Sequence, residues 1–149
     1  MGGLYFETIE VGDVEEGEAV AVDRREMIAY AQANDPWPIH VDEVAGASSP
    51  FGDVIASFGY VVSLFFRALH KQEMNQRAQA SFLGAVEWRV QFRGAVRGDD
   101  QLRVRQTVVD KRLTSKGDRG VVTTQNELLN QDDVPVVVID SVFLVEANG

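Results

Sequence analysis

The sequence predicts an α+β fold in which one curved antiparallel sheet wraps a single long central helix. Three observations lead there. Residues 54–69 form a run of sixteen with twelve apolar side chains, no proline, and one glycine near its start. As a helix this run is ~24 Å long and apolar on most sides, which marks a helix enclosed by other structure. A bilayer span takes about 20 apolar residues, and Arg67 closes the run before that. Second, nearly everything from Ser81 to Ala147 reads as strands with a period of two. Third, 149 residues at 45% hydrophobic and 25% charged is the size and composition of one globular domain, taken here as residues 1–149.

Bulk properties exclude several classes of function. A net charge of −9 and a pI near 4.6 argue against nucleic acid or an anionic membrane as partner, since both require a basic footprint. The absence of cysteine rules out disulfides and thiolate chemistry. The first residues lack a basic stretch followed by an apolar run, so the reading expects no signal peptide and a soluble cytoplasmic protein. Two histidines, His40 and His70, are the whole supply of imidazole.

In chain order, residues 5–17 are an acidic lead-in with Gly12 and Gly17, and 18–22 read as a first strand. Asp23 and Glu26 have capping-box spacing and start a helix whose stripe of Met27, Ile28, Tyr30 and Ala31 runs to Ala33. Pro36 and Pro38 end it, because neither can donate a backbone hydrogen bond. Asp42 caps a short helical turn over 43–47, and Pro50-Phe51-Gly52 leads into the central helix. After His70 the chain turns polar. Val86, Trp88, Val90 and Phe92 then alternate with Glu87, Arg89, Gln91 and Arg93, a strand with one wet face. A strand through Leu102, Val104 and Val108 follows. Strands over 121–130 and 134–145 flank an Asp132-Asp133 turn and are expected to pair as a hairpin.

Asp35-Pro36-Trp37-Pro38-Ile39-His40 is the one place where an acid and an imidazole share a stiffened loop. Fully extended, five residues separate them by ~17 Å, so they meet only if the loop bends back. If they do, Asp35 can fix the tautomer of His40, or the two can hold a water between them and make it nucleophilic. The plain alternative is a helix-stop aspartate and a packed loop histidine, and spacing alone leaves both readings open. His70 and Glu73, at i and i+3 on a helix end, make a poor metal site, and no metal is expected. Arg89, Arg93, Arg103 and Arg105 read as surface charge. Lys111 and Arg112 end a strand, where they could meet a phosphate group.

Asp35-Pro36-Trp37-Pro38-Ile39-His40-Val41-Asp42 resembles the Asp-Pro-Gln-Pro-(Phe/Ile)-His-Leu-Asp signature of the MaoC-like acyl dehydratases, relatives of the (R)-specific enoyl-CoA hydratases. Ser49-Pro50-Phe51-Gly52-Asp53-Val54-Ile55-Ala56-Ser57 is similar to that family's Ser-Pro-Phe-Gly-Gly-x-Ile-Ala-Ser lead into its central helix. Val96-Arg97-Gly98-Asp99-Asp100-Gln101-Leu102 and Leu128-Leu129-Asn130-Gln131-Asp132 match further family segments. The resemblance implies a hot-dog fold. It also implies reversible addition of water to a trans-2-enoyl thioester, with Asp35 and His40 as the catalytic pair and backbone N–H groups of Ser57, Phe58 and Gly59 receiving the thioester oxygen.

Acyl-CoA is the implied substrate, with coenzyme A entering only as part of it and no separate cofactor. An acidic carrier protein is disfavoured by the charge of −9. A homodimer or higher even-numbered oligomer is the expected partner state, because edge strands invite pairing with a second copy. Trp37 stands where the family has Asn or Gln and is expected at the pocket. Phe58 stands where the family has Gly, and with Val61, Val62 and Phe65 on one helix face it is expected in the core. Two other readings share this fold: a non-catalytic acyl-thioester-binding or scaffold protein, and a thioesterase.

Overall fold

The computed structural model describes residues 2–147. After a 3₁₀ turn at Phe6–Thr8, the chain forms strands β1 (Val14–Glu16) and β2 (Val20–Ala21). Four helices follow: α1 (Arg24–Asn34), α2 (Pro38–Val41), α3 (Glu43–Ser48) and α4 (Phe58–Leu69). A fifth, α5 (Glu73–Ala78), precedes strands β3 (Phe82–Phe92), β4 (Gln101–Leu113), β5 (Arg119–Leu129) and β6 (Pro135–Glu146). The sheet order is β1-β4-β5-β6-β3, with β2 also on β4, and every pairing is antiparallel.

The core follows from alternation on the sheet meeting the apolar face of α4. Leu102 and Val104 on β4, Leu128 on β5, and Val137 and Ile139 on β6 bury one row. They pack against Tyr60, Val61, Leu64, Phe65 and Ala68 of α4. A smaller cluster of Leu4, Ile9, Val108, Val122 and Val145 lies apart from it, covered by Met74 and Ala78 of α5. The hairpin β5–β6 forms as expected. Its turn places Asp133 at φ 59°, while Asn130 Oδ1 accepts from the N–H groups of Asp132 and Val134.

Four expectations need correction. The central helix begins at Phe58, not at 54, because residues 54–56 are extended: Ile55 N–H donates to Ile39 O and Ala56 N–H to Val96 O. The polar stretch after His70 contains α5, which the sequence pattern did not distinguish from a frayed end. At the start of α1, Asp23 accepts from Arg25 and Glu26 N–H, but the Glu26 carboxylate does not complete the box; it takes Tyr60 Oη and Arg67 instead. On β3 a register shift between Ala85 and Glu87 makes Val86 the extra residue and turns it outward, so the run Val86-Trp88-Val90-Phe92 is not one buried row.

That strand has a further property. β3 is an edge of the sheet, paired only to β6, and Phe82, Leu83, Val86 and Phe92 on it are exposed. This open edge of eleven residues, with four exposed apolar side chains, is a template for a second strand.

Candidate active site

The loop between α1 and α2 does bend back. Trp37 N–H donates to Asp35 O, Pro38 occupies the first position of α2, and His40 N–H closes onto Trp37 O at 2.8 Å. A proline at that position loses no hydrogen bond, because its missing N–H would have no helical partner. The result brings His40 Nε2 to 3.7 Å from Asp35 Oδ2. Asp35 is the C-cap of α1, so the end of one helix and the start of the next set the pair.

The sequence reading offered Asp35 as the group that fixes the imidazole tautomer. The structure gives that task to Ile55. His40 Nδ1 lies 2.7 Å from Ile55 O, and a carbonyl only accepts, so in the neutral ring Nδ1 carries the proton. Nε2 is left with its lone pair, facing Asp35. Two acceptors 3.7 Å apart do not bond each other, but they can both receive a proton from one water between them. His40 is only 7% exposed, whereas the Asp35 side chain is about one-third open.

Ile55 can do this because residues 54–56 are extended. In a helix its carbonyl would be taken by a later N–H. The segment is clamped on both sides. Arg24 of α1 holds both oxygens of Asp53, at 2.9 and 3.2 Å, and reaches Glu43 of α3 as well. This guanidinium, ahead of the Val54 N–H bond, keeps the Asp53 carboxyl below its usual range, and Arg24 is raised in turn. Gly46 of α3 lies against Val54: a Cβ there would come 2.5 Å from Val54 N, so only glycine lets α3 pack this close.

At the start of α4, Ser57 is the N-cap but its hydroxyl does not cap, and Oγ is fully buried without a hydrogen-bond partner among the described residues. The first helical hydrogen bond is Val61 N–H to Ser57 O at 3.1 Å. The N–H groups of Phe58, Gly59 and Tyr60 therefore have no acceptor among the described residues. Unpaired donors and the positive end of the helix dipole make this a place for developing negative charge.

Phe58 is not core. It is 60% exposed and stacks on Phe92 of β3, ring centroids 3.7 Å apart. It is the first residue of α4, at the end of the face that Val61 and Phe65 bury, and burial does not extend to it. Trp37 is 66% exposed as the N-cap of α2, beside the Asp35–His40 pair. Lys111 is engaged locally, donating to Phe6 O and lying over the Phe6 ring. No group of three or more His, Asp or Glu side chains able to hold a metal occurs among the described residues.

The large cavity lies elsewhere. About 670 Å³ of space opens beside the C-terminal half of α4, walled by Phe65, Phe66, Leu69, Phe82, Trp88 and Phe143. None of Asp35, Trp37, His40, Ser57, Phe58 or Gly59 lines it. Its floor is a polar group the sequence reading missed: Gln106, Thr124, Asn126 and Ser141, with Trp88 Nε1 donating to Ser141 Oγ at 3.0 Å. The signal was available, since Gln106, Thr124 and Asn126 sit at strand positions that alternation assigns to the buried face.

An antiparallel sheet packed on one central helix defines a hot-dog fold, and the relatives of the chain place it in the hydratase and dehydratase class. The model of the MaoC-like domain matches residues 7–131, and the chain belongs to the MaoC-like dehydratase family. It is similar to the MaoC-like dehydratase of Rhodospirillum rubrum, at 27% identity and TM-score 0.86 over 99% of both chains. It is also similar to a monoamine oxidase regulatory protein from Archaeoglobus fulgius, at 25% identity and TM-score 0.81, covering 100% of this chain and 98% of that one. The R-hydratase PhaJ1 of Pseudomonas aeruginosa shares the fold, with TM-score 0.74 at 20% identity over 99% of this chain and 88% of that one. No match was found among curated proteins. No helix among the described residues is long and apolar enough to cross a membrane.

Proposed function

We propose that this protein hydrates a trans-2-enoyl thioester, with acyl-CoA as the substrate, and catalyses the reverse dehydration of the 3-hydroxyacyl form. The observation that carries the reading is the Asp35–His40 pair, with the tautomer of His40 set by Ile55 O. A water donating one proton to Asp35 Oδ2 and one to His40 Nε2 turns its lone pairs outward. Its oxygen bonds to C3 as the C2=C3 pair shifts toward the carbonyl, and one water proton passes to the dyad. The enolate then takes a proton at C2 from the dyad, so water is added across the double bond and the pair is restored. The enolate oxygen is received at the start of α4 by the backbone donors there, with Ser57, Phe58 and Gly59 as the expected binding segment.

The working unit in this reading is a homodimer or larger even-numbered assembly joined through β3. Two-fold antiparallel pairing of that edge sets the Phe82 end of one copy beside the Phe92 end of the other. Phe82 and Trp88 wall the cavity, whereas Phe92 stacks on Phe58 at the start of α4. The cavity of one copy then faces the dyad of its partner and receives the acyl group. This accounts for a cavity and a dyad that do not meet within one chain.

One assay tests the activity: a trans-2-enoyl-CoA is added while the double-bond absorbance and free thiol are followed together. Hydration removes the absorbance without releasing thiol. Thiol release marks a thioesterase, and loss of neither, with binding retained, marks a non-catalytic acyl-thioester binder. Light scattering tests the assembly, and a fully active monomer at micromolar concentration rules the dimer out.

A further inference from the structure

Two tyrosines meet at the start of α4 and have different fates. Tyr30 of α1 and Tyr60 of α4 pack with ring centroids 5.8 Å apart. The Tyr60 hydroxyl is committed, donating to Glu26 Oε1 at 2.9 Å, and Glu26 is held in turn by Arg67. The Tyr30 hydroxyl has no hydrogen-bond partner among the described residues. Packing against Tyr60 requires only its ring.

The position of that hydroxyl is constrained. It lies over Gly59, the second residue of α4, where a Cβ would collide with Tyr30 Oη and sit 3.0 Å from Cζ. Glycine is a poor helix former, and here its missing side chain is the space the hydroxyl occupies. Phe58, Gly59 and Tyr60 present unpaired N–H groups at the same helix end, and the Ser57 hydroxyl caps none of them. A phenol O–H is a hydrogen-bond donor. Tyr30 also shares a helix with the base: it precedes Asp35, the C-cap of α1, by five positions. That spacing separates the two backbones by about 7–8 Å along the axis.

We propose that the Tyr30 hydroxyl is a catalytic donor that hydrogen-bonds the thioester oxygen together with the backbone N–H groups at the start of α4. The proposal rests on the hydratase reading and adds a side chain to it. α1 then presents both ends of the reaction, with Asp35 on the water that attacks C3 and Tyr30 on the oxygen that takes up the charge. Gly59 has two tasks, offering its N–H and making room for the phenol.

The test compares wild type, Tyr30→Phe, Gly59→Ala and the double variant in steady-state hydration of trans-2-butenoyl-CoA. Circular dichroism and thermal melting run in parallel. Tyr30→Phe keeps the ring and breaks no protein hydrogen bond, so its melting curve is expected to match wild type. Its kcat is expected to fall by about 10²-fold, the scale for losing one such donor, with KM changed little. Gly59→Ala displaces the hydroxyl and should lose a similar factor, with the double variant no worse than the poorer single one. If wild type turns over and Tyr30→Phe stays within twofold of it, the hydroxyl only packs; this proposal falls and the hydratase reading stands. If wild type hydrates no enoyl-CoA, the hydratase reading falls and takes this proposal with it.

Discussion

The two ends of α4 are built to opposite specifications. At the N-terminal end, donors are unpaired, an aromatic residue is exposed and glycine replaces a side chain. Toward the C-terminal half, Leu64, Phe65 and Ala68 are fully packed, Phe65 meets Trp88 edge-on, and Phe66 stacks on the same indole. One end leaves polar groups unsatisfied, while the other buries Leu64, Phe65 and Ala68 and turns the part-exposed Phe66 toward the cavity. The difference teaches where each kind of energy is used: burial at one end holds the helix, so that the other end can leave its donors unpaired.

The sharpest break of this comparison is at the dyad. Asp35→Asn and His40→Ala should each lower hydration about 10²–10⁴-fold, the scale of general acid–base contributions, while leaving the fold intact. Two folded variants with near-native rates would falsify the mechanism. In the packed half, Phe65→Ala should cost about 3–5 kcal/mol, because a fully buried ring leaves a cavity its neighbours cannot fill. Chemical denaturation measures this, and a cost below ~1 kcal/mol would mean that α4 is not the anchor described.

At the open end the same kind of change should be mild. Phe58→Ala should lose only the stack on Phe92, about 0.5–1.5 kcal/mol. Had Phe58 been core, the figure would equal that for Phe65, so the ratio of the two costs checks the placement directly. The smallest effect concerns the Arg24–Asp53 clamp. The folded Asp53 carboxyl titrates below its ordinary value of 3.8. It therefore adds stability above that pH, which is lost as pH falls through the lower folded value. Asp53→Asn should flatten the acid side of a melting-temperature profile below about pH 4. The pair is over one-third open on the Asp53 side, so the change is small, and parallel acid limbs for both proteins would remove the clamp from the account.

The dyad was legible because its ingredients are local. Asp35, two prolines and His40 lie within six residues, and the bend that unites them is made by the same loop. The start of α4 was not legible. An apolar run over 54–69 suits both a buried helix and a buried extended segment followed by a helix. The choice is made by Ile39 O and Val96 O, which accept from Ile55 and Ala56 across 16 and 40 positions of sequence. Phe58 was misplaced because helical spacing sets which face a residue lies on but not whether other structure covers that face at the helix end. The Tyr30–Gly59 contact joins two helices and left no local signal. The polar floor of the cavity did leave one, in polar residues that alternation turns inward.

By itself the sequence determined the strand count of the hairpin region, the helix that anchors the core, the acid–imidazole pair and the family resemblance. The first two rest on periodicity, the pair on a short proline-stiffened loop, and the resemblance on motif segments matched residue by residue, all of them local in sequence. Tertiary structure alone decided which carbonyl fixes the His40 tautomer, which aromatic rings stay exposed, and which tyrosine keeps its hydroxyl unpaired. Each of those depends on a backbone group or side chain distant in sequence, and hydrogen bonding and packing select such partners only once the chain has closed on itself.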